Sequence, residues 1–121
     1  MYELNIEIDA LPKSLNKKLR SNRWVLHREN KKFDFLVATL CFGKRPQKPL
    51  EKASIAITRH FYRMLDYDGL VGSCKPVVDA LISCGVLSDD SWKVLGAWQV
   101  NQEFMPKAQG GKLIVNVKER V

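Results

Sequence analysis

Hydrophobic and polar residues alternate in some stretches of this chain and recur every three or four positions in others. Residues 2–9 (YELNIEID) alternate strictly, which predicts a half-buried strand. Residues 24–42 place apolar side chains at helical spacing and predict an amphipathic helix that ends at Gly43. Residues 53–63 are rich in β-branched and aromatic side chains and predict a second strand.

The second half of the chain continues this alternation of element types. Residues 74–84 predict a helix with Pro76 in its first turn and Gly85 after its end, and whether it starts earlier, at Asp68, stays open. Residues 93–104 and 112–120 predict two further strands, with a hairpin turn at Gly110-Gly111. The order β-α-β-α-β-β predicts one α+β domain with a mixed sheet over residues 1–121.

Length and composition place the chain in a broad class. It has 121 residues, 45% of them hydrophobic, which is enough for the core of one ordinary domain. Its three cysteines, Cys41, Cys74 and Cys84, form no CxxC pair and predict reduced core thiols. No apolar run approaches the ~20 residues that span a bilayer, and the N-terminus lacks signal-peptide character. We therefore expect a cytoplasmic protein without a membrane partner.

The net charge is +7, and it is concentrated in residues 13–32, here called the basic arm. The basic arm holds eight lysines and arginines against one glutamate. One interpretation is a solvated helix and loop, and the other is a surface that contacts phosphate backbones. The candidate DNA-contacting residues of the arm are Asn16, Lys17, Lys18, Arg20, Arg23, Arg28, Lys31 and Lys32.

Residues 66–90, here called the acid cluster, contrast with this basic background. They hold five of the seven aspartates in the chain and a single base, Lys75. Like charges that lie close together raise each other's pKa, so a fold that gathers carboxylates usually neutralises them with a cation or uses them in chemistry. An acid cluster in a basic protein is what a metal-dependent enzyme acting on nucleic acid requires.

The spacing divides the acid cluster into three parts. Asp66 and Asp68 are two residues apart, so in extended chain both carboxylates face one ion, although the same pattern also occurs in turns and helix N-caps. Lys75 and Asp79 share a helix face, either as a surface ion pair or as a lysine held over a site. The third part is the pair at residues 89–90. The chain is long enough to return this pair to the first, since ten helical residues travel ~15 Å and six extended residues reach up to ~20 Å.

The stretch DYDGLVGSCKPVVDALISCGVLSDD resembles the core motif of the RusA-like Holliday-junction resolvases: D-x-D-N, a lysine, D-A-L, a glycine turn and D-D. The segment LPKSLNKKLR is similar to that family's P-P-S-x-N segment at Pro12, Ser14 and Asn16. These similarities run from about residue 8 to residue 100, which is most of the chain. The combination is more specific than any single piece.

The resemblance implies a RusA-like fold and a homodimeric, phage-type endonuclease that resolves four-way DNA junctions by paired nicks in recombination and repair. It implies Mg²⁺ as cofactor, with Mn²⁺ as a substitute, and no nucleotide cofactor. In this interpretation the setting is a bacterial or phage-infected cell. The implied roles are catalysis by Asp66, Asp68, Asp90 and Lys75, metal binding by Asp66, Asp68, Asp90 and Asp89, and support of the lysine by Asp79.

Two positions depart from the family pattern. Gly69 stands where the family usually has asparagine, and Lys75 lies seven residues after Asp68, in a stretch lengthened around Gly72. A branched-DNA-binding module without activity, and a nuclease for forks or flaps, are therefore alternatives. Trp92 and Trp98 flank the third strand and are expected in the core or at a dimer interface.

Overall fold

The computed structural model describes residues 1–11 and 23–120. The described elements are strands β1 (Glu3–Ile8), β2 (Ala53–Phe61), β3 (Leu95–Phe104) and β4 (Lys112–Glu119), helices α1 (Arg23–Cys41) and α2 (Tyr67–Ser83), and a short 3₁₀ turn at Lys107–Gln109. Their order, β-α-β-α-β-β, is the predicted one. The described residues form a single α+β domain.

The sheet is mixed, and its described strands run in the order β1-β4-β2-β3. β4 is antiparallel to both β1 and β2, whereas β2 and β3 are parallel. The predicted hairpin at residues 110–111 is therefore wrong, because β3 and β4 lie on opposite sides of β2. Gly110 has a positive φ of 77°, and a Cβ on Gly111 would lie 2.6 Å from a side-chain carbon of Leu11. The two glycines therefore allow the chain to pass close to Leu11 on its way from β3 to β4.

One face of the sheet carries the core. Ile6, Val115 and Ile57 are register partners on three adjacent strands, and all three are buried. Both helices cover this face, with buried positions such as Val37 of α1 and Val78 of α2 in the same apolar cluster. The opposite face is polar and half-exposed, because strand side chains alternate between the two faces.

Helix α2 begins earlier than the apolar spacing indicates. It starts at Tyr67 with Asp66 as its N-cap, so Pro76 lies inside the helix and not in its first turn. The early start near Asp68, which the sequence leaves open, is therefore the one adopted; the pattern could not decide it because residues 67–73 include two glycines and are poor in the apolar periodicity that marks a helix. The helix ends as predicted, with Gly85 at a positive φ of 89° after the Cys84 cap.

The sequence predicts core thiols for the three cysteines and a core or dimer-interface position for Trp92 and Trp98. All three cysteines are free thiols, with Cys41 and Cys74 buried and Cys84 half-buried. Trp98 is partly buried against the core, whereas Trp92 is 80% exposed on the turn before β3. A core position for Trp92 is therefore wrong, because β3 begins only at Leu95 and Trp92 precedes the alternating pattern.

Candidate active site

The first part of the acid cluster lies at the N-terminus of α2. Asp66 adopts an extended backbone (φ −68°, ψ 171°), and its Oδ1 accepts a hydrogen bond from the N–H of Gly69 at 2.7 Å. This is the N-cap alternative, in which an aspartate satisfies a free helical N–H. Asp68 lies in the first helical turn, and both carboxylates are exposed. The expectation that extended chain points them the same way is wrong, because Asp68 has already entered the helix.

Gly69 has a structural role in this cap. A Cβ built on Gly69 would lie 2.8 Å from the Oδ1 atom of Asp66, which is closer than real Cβ contacts allow. Any larger residue at this position, including the asparagine that the family motif has, would move the Asp66 carboxylate. The Asp66 carboxylate can therefore adopt this orientation because position 69 is a glycine and not the asparagine of the motif.

Two side chains that sequence reasoning missed hold the segment leading into Asp66. The amide of Gln102 on β3 accepts a hydrogen bond from Leu65 N at 2.9 Å and donates one to Leu65 O at 2.7 Å. Its register partner on β2, the buried Arg59, donates to the carbonyl of Arg63 at 2.9 Å. Both were detectable as polar residues at core-facing strand positions, since Arg59 follows Ile55 and Ile57 at a spacing of two.

Lys75 is the centre of the second half of the site. Its ammonium donates to Asp79 Oδ1 at 3.0 Å, one helical turn on, and also to Asp90 Oδ2. The predicted pairing with Asp79 is present. The chain returns Asp90 to Lys75, and the expected meeting of residues 89–90 with Asp66 and Asp68 stays a prediction. Asp89 accepts the N–H of Asp90 at 2.8 Å, which shapes the turn.

The return of the chain is fixed by the segment just before residues 89–90. Leu50, in the loop before β2, forms a parallel bridge with Leu87. Leu50 N donates to Val86 O at 2.9 Å, and Ser88 N donates to Leu50 O at 3.1 Å. These bonds, together with the burial of both bridging leucines, hold the chain two residues before Asp90.

The ion pairs set the charge state of this half of the site. The hydrogen bond and charge of Lys75 hold the pKa of the exposed Asp90 below its usual range. Burial alone lowers the pKa of Lys75, but the hydrogen bonds and charges of Asp90 and Asp79 outweigh it and raise the pKa overall. Lys75 is therefore a cation and Asp90 an anion at neutral pH.

Asp34 on α1 is a further carboxylate that the sequence did not single out. It is half-buried, and burial followed by the charge of Asp79 raises its pKa. The packing of α1 against α2 thus brings a third aspartate toward the Lys75–Asp79 pair. Its only sequence signal was its position next to Phe33, a buried residue of the helix.

The carboxylate oxygens of this site are the type of ligand that a hard cation prefers. The described part of the chain gathers no group of three or more His, Cys, Asp or Glu side chains around one point. Asp66 and Asp68 offer exposed carboxylate oxygens at the start of α2, and Asp89 and Asp90 offer a second exposed pair. Mg²⁺ is commonly held by one or two carboxylates, with water and substrate phosphate completing its shell.

The basic arm is only partly described. Asn16, Lys17, Lys18 and Arg20 lie outside the described residues. Arg23 and Arg28 belong to the first half of α1, and Lys31 and Lys32 are exposed on it.

Comparison with known proteins adds no relative, because no family model and no curated protein matches the chain. The resemblance to the RusA-like family therefore depends on the motif residues themselves. No helix in the described ranges is long and apolar enough to cross a membrane.

Proposed function

We propose that this protein is a Mg²⁺-dependent, structure-selective endodeoxyribonuclease that resolves Holliday junctions by paired symmetric nicks and works as a homodimer. The observation that carries the proposal is Lys75, which donates hydrogen bonds to both Asp79 and Asp90. It supports the proposal because it joins Asp90 of the returning acid pair to α2, the helix that Asp66 caps. Three motif residues, Lys75, Asp79 and Asp90, thereby meet although Asp90 is distant in sequence from the other two.

The carboxylates of Asp66, Asp68, Asp90 and Asp89 would hold the cation. When bound, Mg²⁺ polarises a phosphate and lowers the pKa of an attacking water. The extended segment at Leu65, held by Gln102, and the cap at Gly69 orient Asp66 before any ligand arrives.

Lys75 is suited to a phosphate oxygen. An ammonium has three N–H donors, and Asp79 and Asp90 take two, which leaves one for a ligand. The side chain is 44% exposed, so a DNA backbone can approach it. Because its pKa is raised, Lys75 stays charged and can stabilise the negative charge that develops on the phosphate.

Cleavage of a synthetic four-way junction tests this function. We expect symmetric nicks with Mg²⁺ and none with EDTA. Asp66→Asn should abolish cleavage and keep junction binding, since it removes a charge that repels phosphate. Asparagine caps a helix about as well as aspartate, so the variant should fold normally, with thermal melting as the control. Cleavage by Asp66→Asn at the wild-type rate would show that the metal site is misplaced.

The position of Gly69 favours a second candidate, a binding module without activity. The Asp66 carboxylate caps its own helix in an orientation that an asparagine at position 69 would shift. This candidate expects salt-dependent junction binding and no Mg²⁺-dependent cleavage of any branched DNA. A nuclease for forks or flaps would instead cut those substrates faster than four-way junctions, so rates on the three substrates separate the candidates.

A further inference from the structure

Trp92 is the feature of this surface that the proposed function leaves unused. Its side chain is 80% exposed, an unusual position for the largest apolar residue type. It follows the Asp89–Asp90 pair directly, with one serine between Asp90 and the indole. Single exposed apolar residues are ordinary on protein surfaces, so exposure alone does not define a role.

The turn that presents Trp92 is well held. Val94 N and Leu95 N both donate to Ser91 O, at 3.0 and 2.8 Å. The carbonyl of Val94 accepts hydrogen bonds from Ala53 N at 2.8 Å and from the Arg120 guanidinium at 3.0 Å. The indole therefore projects into solvent from a turn that is hydrogen-bonded to Ala53 at the start of β2 and to Arg120 after β4. Because the turn is already ordered, a ligand that binds the indole pays a smaller entropic cost.

The surroundings of Trp92 match a nucleic-acid strand. Lys93 is exposed beside it, and exposed Lys52 precedes Ala53, which is bonded to the same turn. An aromatic ring also accompanies the other acid pair, since Tyr67 lies between Asp66 and Asp68 and is 71% exposed. Each carboxylate pair thus carries a solvent-facing aromatic ring. Aromatic rings next to basic residues are how proteins hold unpaired bases, through stacking combined with backbone attraction.

We propose that Trp92 stacks on a nucleobase that the branch point leaves without a stacking neighbour, and so contributes to selection of branched over linear DNA. This inference rests on the proposed function and adds to it the feature of the substrate that is recognised. In linear duplex every base is stacked on its neighbours, so the indole gains a partner only where a branch exposes one.

Binding measurements on Trp92 variants test the inference. The substrates are a branched DNA with two unpaired thymines at its centre and a linear duplex of equal length, both in EDTA so that binding is separated from cleavage. Trp92→Ala should weaken binding to the branched DNA by about 5-fold or more and leave duplex binding unchanged. Trp92→Phe keeps a ring and should retain most of the preference. Phe42→Ala, which removes an equally exposed ring after α1, is the matched control and should change neither affinity.

Tryptophan fluorescence gives a second readout that a structural role would not produce. The branched DNA should quench the emission of the wild-type protein, and this part of the quenching should be absent in Trp92→Phe. Equal losses on both DNAs in Trp92→Ala, or quenching in Trp92→Phe as large as in wild type, would overturn the inference. A shift from dimer to monomer in light scattering of Trp92→Ala, with the branch preference intact, would also overturn it and make Trp92 a self-association residue. Loss of the preference together with normal Mg²⁺ cleavage would support the inference, whereas absent cleavage in wild type would contradict only the proposed nuclease.

Discussion

Single residues in this site perform roles that their spacing only partly indicates. The sequence singled out Asp66, Asp68, Lys75, Asp79 and Asp90, and the structure brings the last three together. Spacing identified Lys75–Asp79 because residues four apart on a helix always share a face. It could not establish how Asp66 is oriented, because an aspartate pair at a strand end is compatible with extended chain and with a helix cap.

Asp34 gives a prediction at this scale. Its pKa is raised by burial and by Asp79, so the folded state disfavours its charged form. The folded state is therefore more stable when Asp34 is protonated than when it is charged. This part of the free energy of unfolding is lost as pH rises through the raised pKa of the folded state. We expect Asp34→Asn to unfold at a higher urea concentration than wild type at pH 7.

The same variant should lose its advantage in acid. Below the ordinary aspartate range both wild type and Asp34→Asn are neutral at this position, so their urea midpoints should converge by about pH 3. Asp9→Asn is the matched control, because Asp9 is exposed and precedes the helices. A wild type that is more stable than Asp34→Asn at pH 7 would contradict the conclusion that burial and Asp79 disfavour the charged form of Asp34.

At the scale of elements, strand periodicity and helix spacing correctly predicted the order of strands and helices along the chain. They did not predict which strands pair with one another. β3 and β4 are neighbours in sequence, and the glycine pair between them suggested a hairpin. The sheet places β2 between them, since β2 pairs with β3 in parallel and with β4 antiparallel. Non-local pairing depends on which faces bury the core, and a glycine pair alone does not determine which strands become neighbours.

The contact between β3 and the start of α2 gives the second prediction. Gln102→Ala removes two hydrogen bonds to the backbone of Leu65, each of which contributes about 0.5–1.5 kcal/mol. We expect the free energy of unfolding to fall by about 1–3 kcal/mol. Hydrogen exchange should accelerate in residues 62–68 more than in the central strands, because the segment loses its tie to β3.

Gln99→Ala is the control for that variant. Gln99 lies on the same strand with its side chain exposed on the opposite face, so its truncation should leave both the stability and the exchange of residues 62–68 unchanged. If Gln102→Ala cleaves junctions like wild type and exchanges normally at residues 62–68, the bond pair does not position Asp66.

At the scale of the whole molecule, the basic charge has two parts, and the sequence emphasised only the first. Besides the basic arm, residues 44–52 hold Lys44, Arg45, Lys48 and Lys52 against a single glutamate, and all four bases are exposed. We call residues 44–52 the basic loop. Its significance could not be read from charge counting, because it depends on the bridge between Leu50 and Leu87 that sets the loop beside the segment leading to Asp90.

The basic loop gives the last prediction. If its lysines neutralise DNA phosphates, removing one such lysine lowers the slope of log affinity against log salt by about 0.9. Replacing Lys44, Lys48 and Lys52 with glutamine should therefore reduce the slope by up to about 3 for junction and duplex alike.

The control replaces Lys112 and Lys118, which face Glu7 and Glu3 on the open side of the sheet. Its slope should match wild type, since the ion pairs already neutralise those lysines. An equal fall in slope for both variants would mean that net charge alone attracts DNA, whereas a fall confined to the loop variant places the phosphate backbone alongside the acid cluster.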